Sequence, residues 1–435
     1  MASITPALRR IKGELSTCLP PRLIYQACRD AGHAFRQREL DPAQLLYLFI
    51  LQVLSFNTAI SHLRHLGAMA VSGAAYCKAR MRLPLAAVQN LLLRSAQAML
   101  REVRSRDDAL QTCWCGLRTY LVDGSSAITP HTETLDKHFG HPTGQKKGCS
   151  LPVAKVLGLF DAFSGMVVHL VCTHLFVNEM KSVWRVHPLL GKGDLLVGDR
   201  GFCSFVHLAL LSAAGVLACF RLHGCRKECD FRRGRKVKRL GRNDRIVLWH
   251  KPMQKPKWMK RRQYARLPDS LVVRLIRYHT PVALGRRTRV VTVATTLLDP
   301  TLYPAEKIAQ LYGLRWRVET HFGQLKTTLK MRRLKCRTVE GVLKELAVYC
   351  LVFNLVQRIM AEAAARQRVT PERISFLDTV RWLLSAAPGM PPELMVNPLR
   401  LGRHEPRVIK DLLDTYRKMT RPRAYLKRHL ALTKR

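Results

Sequence analysis

Between residues 118 and 223, short apolar runs alternate with helix-like stretches, and two of those runs stop at an aspartate. "RTYLVDGSS" leads to Asp123 and a glycine, and "GDLLVGDRGF" leads to Asp199 and an Arg-Gly turn. Between them, "VAKVLGLFDAFSGMVVHLVCTH" reads as two strands joined through "DAFSG", a hairpin. A helix-like "SFVHLALLSAAG" and a further strand, "VLACFRLH", come next. Strands interleaved with helices confine this stretch to a mixed α/β sheet. Ligands of open α/β sheets gather outside the strand ends, so the two aspartates are candidates for chemistry. A lone aspartate after a strand is most often a helix cap or turn former. Two at neighbouring strand ends are another matter, because their repulsion requires a compensating charge. Divalent cations carrying phosphate ligands supply one, since Mg²⁺ takes oxygen ligands from one or two carboxylates, water and substrate.

The overall charge says which phosphates. The chain carries 74 Lys and Arg against 30 Asp and Glu, formally +44, with an isoelectric point near 10.6. Such an excess commits a protein electrostatically to a polyanion, and nucleic acid is the first candidate. Apolar residues make up 47% of the 435, which excludes a disordered basic tail and predicts a globular protein of two to four domains. The longest apolar run, at 45–56, is too short to span a bilayer. "MASITPALRRIKGEL" has no apolar stretch of the signal-peptide kind, so a cytoplasmic, nucleoid-associated protein without a membrane partner is expected. The thirteen cysteines then read as reduced thiols. Neither Cys113 with Cys115 nor His223, Cys225 and Cys229 has a second ligand pair at zinc spacing.

Four regions follow from the pattern. Residues 1–110 read as helical, with Asp41 and Pro42 as a cap and first-turn pair. Lys78, Arg80 and Arg82 cluster there, so this helical N-terminal domain reads as a DNA-binding module or as a plain structural or dimerising one. The α/β pattern occupies 111–223 and returns at 301–365, ending in the long apolar helix "GVLKELAVYCLVFNLVQRIMAEAAA". In between, 224–300 is a basic β-rich insertion. From Arg226 to Arg262 it has 16 Lys or Arg against three acids, with Trp249 and Trp258 interspersed. Residues 366–435 form a polar, basic C-terminal region.

"YGLRWRVETHFGQLK" supplies the third acid. As one helix it places Tyr312, Arg315 and Glu319 on a single stripe, with Lys326 two turns beyond. The spacing Y-x₂-R-x₃-E-x₆-K resembles the Tyr-Arg-Glu-Lys signature of DDE transposases from bacterial insertion sequences, and all four positions match. "VDGS" and "DRGF" look like the first and second aspartate motifs of that family, in the same order.

The resemblance implies an RNase H-like catalytic core, interrupted by the β-rich insertion, with Asp123, Asp199 and Glu319 as catalytic metal ligands. It implies two Mg²⁺ ions (Mn²⁺ as a substitute), and Tyr312, Arg315 and Lys326 holding phosphates of terminal DNA. Arg200 and Arg221 are further candidates for DNA contact, and Trp249, Trp258 and Trp316 for base stacking. The implied activity is cleavage at terminal inverted repeats and transfer of the 3′ strands to target DNA by a synaptic homodimer. A nuclease on the same core, or a catalytically idle DNA-binding remnant, stays open as an alternative. One feature departs from the family. Members that form a DNA hairpin hold a flipped base on a tryptophan near the end of the insertion, and "RTRVVTVATTLL" has none.

Overall fold

The computed structural model describes residues 6–36, 38–66, 72–105, 113–143, 150–222, 235–279, 290–387, 389–398, 421, 424–425 and 428–429. The possible ligands His223, Cys225 and Cys229, and most of the basic C-terminal region, lie outside them.

Helices come first: α1 (Pro6–Glu14), α2 (Pro21–Asp30), α3 (Pro42–Leu54), α4 (Ile60–Leu66), α5 (Gly73–Arg82) and α6 (Leu85–Ser105). Asp41 caps α3 as expected, its side chain accepting from Gln44 N at 2.8 Å with Pro42 in the first turn. Next come β1 (Thr119–Ile128), α7 (Glu133–Phe139), β2 (Val153–Asp161) and β3 (Val167–Thr173). They are followed by α8 (Glu179–Val183), β4 (Leu195–Gly198), α9 (Phe205–Ala213) and β5 (Leu217–Arg221). The basic stretch contributes β6 (Arg235–Gly241), β7 (Asp244–His250), α10 (Arg261–Ala265), β8 (Ser270–His279) and β9 (Val290–Thr295). The chain continues with α11 (Ala305–Gly313), α12 (Trp316–Gly323), α13 (Val339–Gln367) and α14 (Phe376–Ser385).

Among the described residues all these strands form one sheet, in the order β3-β2-β1-β4-β5-β9-β8-β7-β6. The fold is therefore mixed α/β, as the alternation predicts. β2 and β3 are the expected antiparallel hairpin. Its turn is fixed by Asp161, which accepts from Ser164 N and Oγ at 2.8 Å each and pairs with Arg104 at 2.6 Å. β1, β4 and β5 run parallel. All four residues of β4 are buried, the continuous apolar run expected of a parallel strand covered on both faces. The strands of the basic stretch do not stand apart. β9 pairs with β5 and carries the sheet outward through β8 and β7 to the cationic edge strand β6.

Helix α13 holds the N-terminal helices to the sheet. Asn354 on α13 exchanges hydrogen bonds with the Val167 backbone of β3 at 2.7 and 2.8 Å. On its other side Lys344 is 3% exposed and donates to the carbonyls of Arg80, Met81 and Leu83 at 2.8–3.0 Å. It thereby satisfies acceptors that the end of α5 leaves open. Glu345 accepts from Asn57 at 2.8 Å and from the backbone of Lys335 and Cys336. Arg358 binds both Glu14 and Glu102. The N-terminal cation cluster is split by this packing. Arg80 turns inward over the Phe49 ring at 3.7 Å and donates to Gln52 and Cys336, while Lys78 and Arg82 are exposed.

Candidate active site

The site begins with strand register. Val122 of β1 pairs with Gly198 of β4 in a parallel ladder, so the residues that follow, Asp123 and Asp199, emerge side by side. One expectation needs correction: β1 does not end at Asp123. Its antiparallel partner β2 stays paired with it from Asp123↔Gly158 to Ile128↔Val153, holding the chain extended for five more residues. What ends at Asp123 is the pairing with β4. Neither aspartate plays the bland role open to it. Asp199 precedes the 3₁₀ turn Arg200–Phe202 without its side chain capping that turn, and Asp123 sits inside a strand, accepting from Gly124 N at 2.8 Å.

The signature stretch is not one unbroken helix. Tyr312 lies near the end of α11, Arg315 is the N-cap residue of α12, and Glu319 lies one turn into α12. Lys326 falls on a π-helical turn, Gln324–Thr328. The four side chains still converge on the strand ends. Arg315, 7% exposed, reaches Asp123 Oδ2 at 3.5 Å and Glu319 Oε1 at 3.0 Å, tying the first acid to the third. Tyr312, 5% exposed, donates its hydroxyl to Asp199 Oδ1 at 3.5 Å. Lys326 donates to Ser125 Oγ at 3.2 Å.

Electrostatics follow from that crowding. Burial pushes the Asp123 carboxyl above the usual carboxylate range. Gly124 N–H and Arg315 oppose the shift, and Asp199 and Glu179 add to it. Burial works against the Arg315 charge, but Tyr312, Asp199 and Glu319 together outweigh it and raise its pKa. The donors gathered here are carboxylate oxygens, the ligand type of Mg²⁺ and Mn²⁺. Among the described residues no group of three or more His, Cys, Asp or Glu is close enough to hold a metal ion. In this arrangement Arg315 is the charge shared between the acids.

The other predicted residues divide. Arg200 is exposed beside Asp199. Arg221 is half-buried at the end of β5, near Tyr312 and Tyr278, whose hydroxyls burial keeps neutral against the pull of its charge. Trp258 is half-buried, its ring 6.4 Å from that of Trp184, which is 41% exposed. Trp249 is 3% exposed, on the core face of β7, and presents no open ring face in this arrangement. Trp316, 48% exposed, lies under the Arg315 guanidinium at 4.9 Å. Two residues were missed from sequence, Trp184 beside Trp258 and Glu179 near Asp123. Trp184 carries no local signal. Glu179, in "VNEMKS", reads as an ordinary first-turn acid of a helix.

Comparison with known proteins identifies the family. The family profile described as "Transposase DDE domain" matches residues 114–355, a span containing both aspartates and the whole signature stretch. "Transposase InsG for insertion sequence element IS4" of Escherichia coli (strain K12) is 24% identical over 434 residues, covering 93% of each chain. Among solved structures, the piggyBac transposase synaptic complex with hairpin DNA aligns with a TM-score of 0.46 at 10% identity, over 88% of this chain and 80% of that one. A likeness so loose leaves the fold to be read from the strand order itself.

Proposed function

Because the chain belongs to the DDE transposase family, of the insertion-sequence IS4 type, we propose that it binds terminal inverted repeats, cleaves at the element ends and transfers the 3′ strands to target DNA. The observation that carries this reading is the β1–β4 register, which sets Asp123 beside Asp199 while Arg315 ties Asp123 to Glu319. The order β3-β2-β1-β4-β5, with β2 antiparallel between β1 and β3, supports an RNase H-like core. On this reading, residues 111–223 and 301–365 form that core, 224–300 the DNA-gripping insertion, 1–110 a helical DNA-binding domain and 366–435 a basic C-terminal region.

Asp123, Asp199 and Glu319 would hold Mg²⁺ or Mn²⁺, whose chemistry when bound is to lower the pKa of water and to stabilise charge on the attacking and leaving oxygens of a phosphodiester. The chain's own groups do the rest. Arg315 offers a planar fork and Lys326 a point charge to phosphate oxygens, and Tyr312 a hydrogen-bond donor, so DNA phosphates would replace the carboxylate partners that Arg315 and Tyr312 now have. Arg200 and Arg221 lie on the path of the same backbone. Trp258, paired with Trp184, and Trp316 beside Arg315 are the stacking surfaces for displaced bases. Two copies acting together would align the two element ends.

Incubating the protein with Mg²⁺ and DNA bearing the flanking repeats tests the proposal. Cleaved ends and joined products are expected. Cleavage without joining indicates a nuclease on this core, and binding with neither product indicates an idle remnant.

A further inference from the structure

The carboxylate of Glu179 stands beside the backbone that follows each aspartate. A Cβ built on Gly124, the residue after Asp123, would lie 2.8 Å from Glu179 Oε1 and 3.2 Å from its Cδ. A Cβ on Gly201, two residues after Asp199, would lie 3.4 Å from Oε2. One oxygen thus occupies the side-chain space of Gly124 on β1, and the other lies in contact distance of the turn after Asp199. Lys155 of β2 steadies the group, its Nζ 3.3 Å from Oε1 and donating to Val177 O at 3.2 Å. The Glu179 side chain is 37% exposed and that of Lys155 24%. An exposed ion pair alone contributes little and needs no glycines around it. Here the carboxylate fills the space that a side chain on Gly124 would take and rests in ordinary contact with Gly201, adding negative charge to an edge that already holds Asp123 and Asp199.

We propose that Glu179 is a positioning residue of this site. Seated over Gly124 and Gly201 and steadied by Lys155, its carboxylate sets the field in which Asp123 and Asp199 take up a divalent cation. The inference rests on the reading of the aspartates as cation ligands. It extends that reading to a residue on a short helix remote in sequence from the signature stretch. Groups that stand just behind metal ligands typically change metal affinity or activity 10–100-fold when altered.

The test uses the full chain and Glu179→Gln, which keeps shape and removes charge. The half-saturating Mg²⁺ concentration for cleavage of a terminal-repeat duplex is expected to rise by about 10-fold. The rise in melting temperature that Mg²⁺ gives without DNA should shrink, while the melting temperature in chelator stays at the parental value. Gly124→Ala, whose new methyl group displaces the carboxylate, should move both Mg²⁺ responses the same way and covers the case in which Glu179→Gln folds poorly. If Glu179→Gln and Gly124→Ala lower only the melting temperature in chelator and keep the parental Mg²⁺ dependence, Glu179 is a structural partner of Lys155 and the inference is overturned. Asp123→Asn run alongside separates the two levels. Its loss of cleavage with Glu179→Gln unchanged removes this inference alone, whereas an active Asp123→Asn removes the reading on which it rests.

Discussion

Replacing Arg274 with methionine should unseat the join between the basic strands and the signature helices. Arg274 sits on β8 with no exposed surface, and its guanidinium is used fully. Nε and Nη2 form a fork on Asp244 of β7 at 2.9 and 2.5 Å. Nη1 faces the carbonyls of Leu297, Asp299 and Tyr303 at 3.3, 3.4 and 2.7 Å. One side chain therefore fastens β7 and β8 to the segment that leads from β9 into α11. Asp244 is 8% exposed, so removing its partner strands a buried charge, at about 3–5 kcal/mol. At about 2 °C per kcal/mol for a large cooperative unit, Arg274→Met should lower the melting temperature by about 6–10 °C in calorimetry at neutral pH. Pairing it with Asp244→Leu should recover about half of the loss or more, because an apolar replacement of a whole buried ion pair is often neutral. The three carbonyls would remain without their donor, so recovery should be incomplete. A single-variant loss below about 2 °C, or no recovery in the double variant, would refute the reasoning.

Three further outcomes are expected. Burial holds the imidazoles of His187, His207 and His321 down at about 4, about 3 and about 4, so all three are neutral in the folded protein. Below pH 6.5 the unfolded chain takes up protons that the native state refuses, so stability should be level from pH 8 to 7 and fall toward pH 4, by about 2 kcal/mol per ring at pH 5. A flat melting temperature from pH 7 to 5 would contradict this. Arg315→Ala and Lys326→Ala should each lower the slope of log affinity for duplex DNA against log salt by about 0.9 for every phosphate the side chain neutralises, and unchanged slopes for both would remove them from the DNA interface. Crosslinks from a labelled terminal-repeat duplex should map to the cationic strands and loops between 235 and 279 as well as to the N-terminal helices. Crosslinks confined to 1–110 and the C-terminal tail would leave the basic strands without that role.

What could be read from the sequence depended on how local its cause was. The β2–β3 hairpin follows from two apolar runs around "DAFSG", and α13 from a long apolar stretch. Asp123, Asp199 and the signature stretch were legible because apolar runs and short residue spacings are local. Features set by distant partners were not. β1 runs on past Asp123 because β2 holds it, and β6 to β9 join the main sheet because β9 finds β5. Arg80 and Trp249 read as surface candidates, yet one stacks on Phe49 and the other faces the core. Glu179 meets Gly124 and Gly201 only after three separate segments have come together.

The central claim is that Asp123, Asp199 and Glu319 form one catalytic centre, and single-turnover cleavage of a terminal-repeat duplex in saturating Mg²⁺ tests it most directly. Asp123→Ala, Asp199→Ala and Glu319→Ala should each slow cleavage by roughly a thousandfold, as a loss of about 4 kcal/mol of transition-state stabilisation implies. Each should still bind the duplex close to parental affinity in the same samples. Near-parental cleavage by any one of the three would contradict the assignment of that residue and break the centre proposed for this fold.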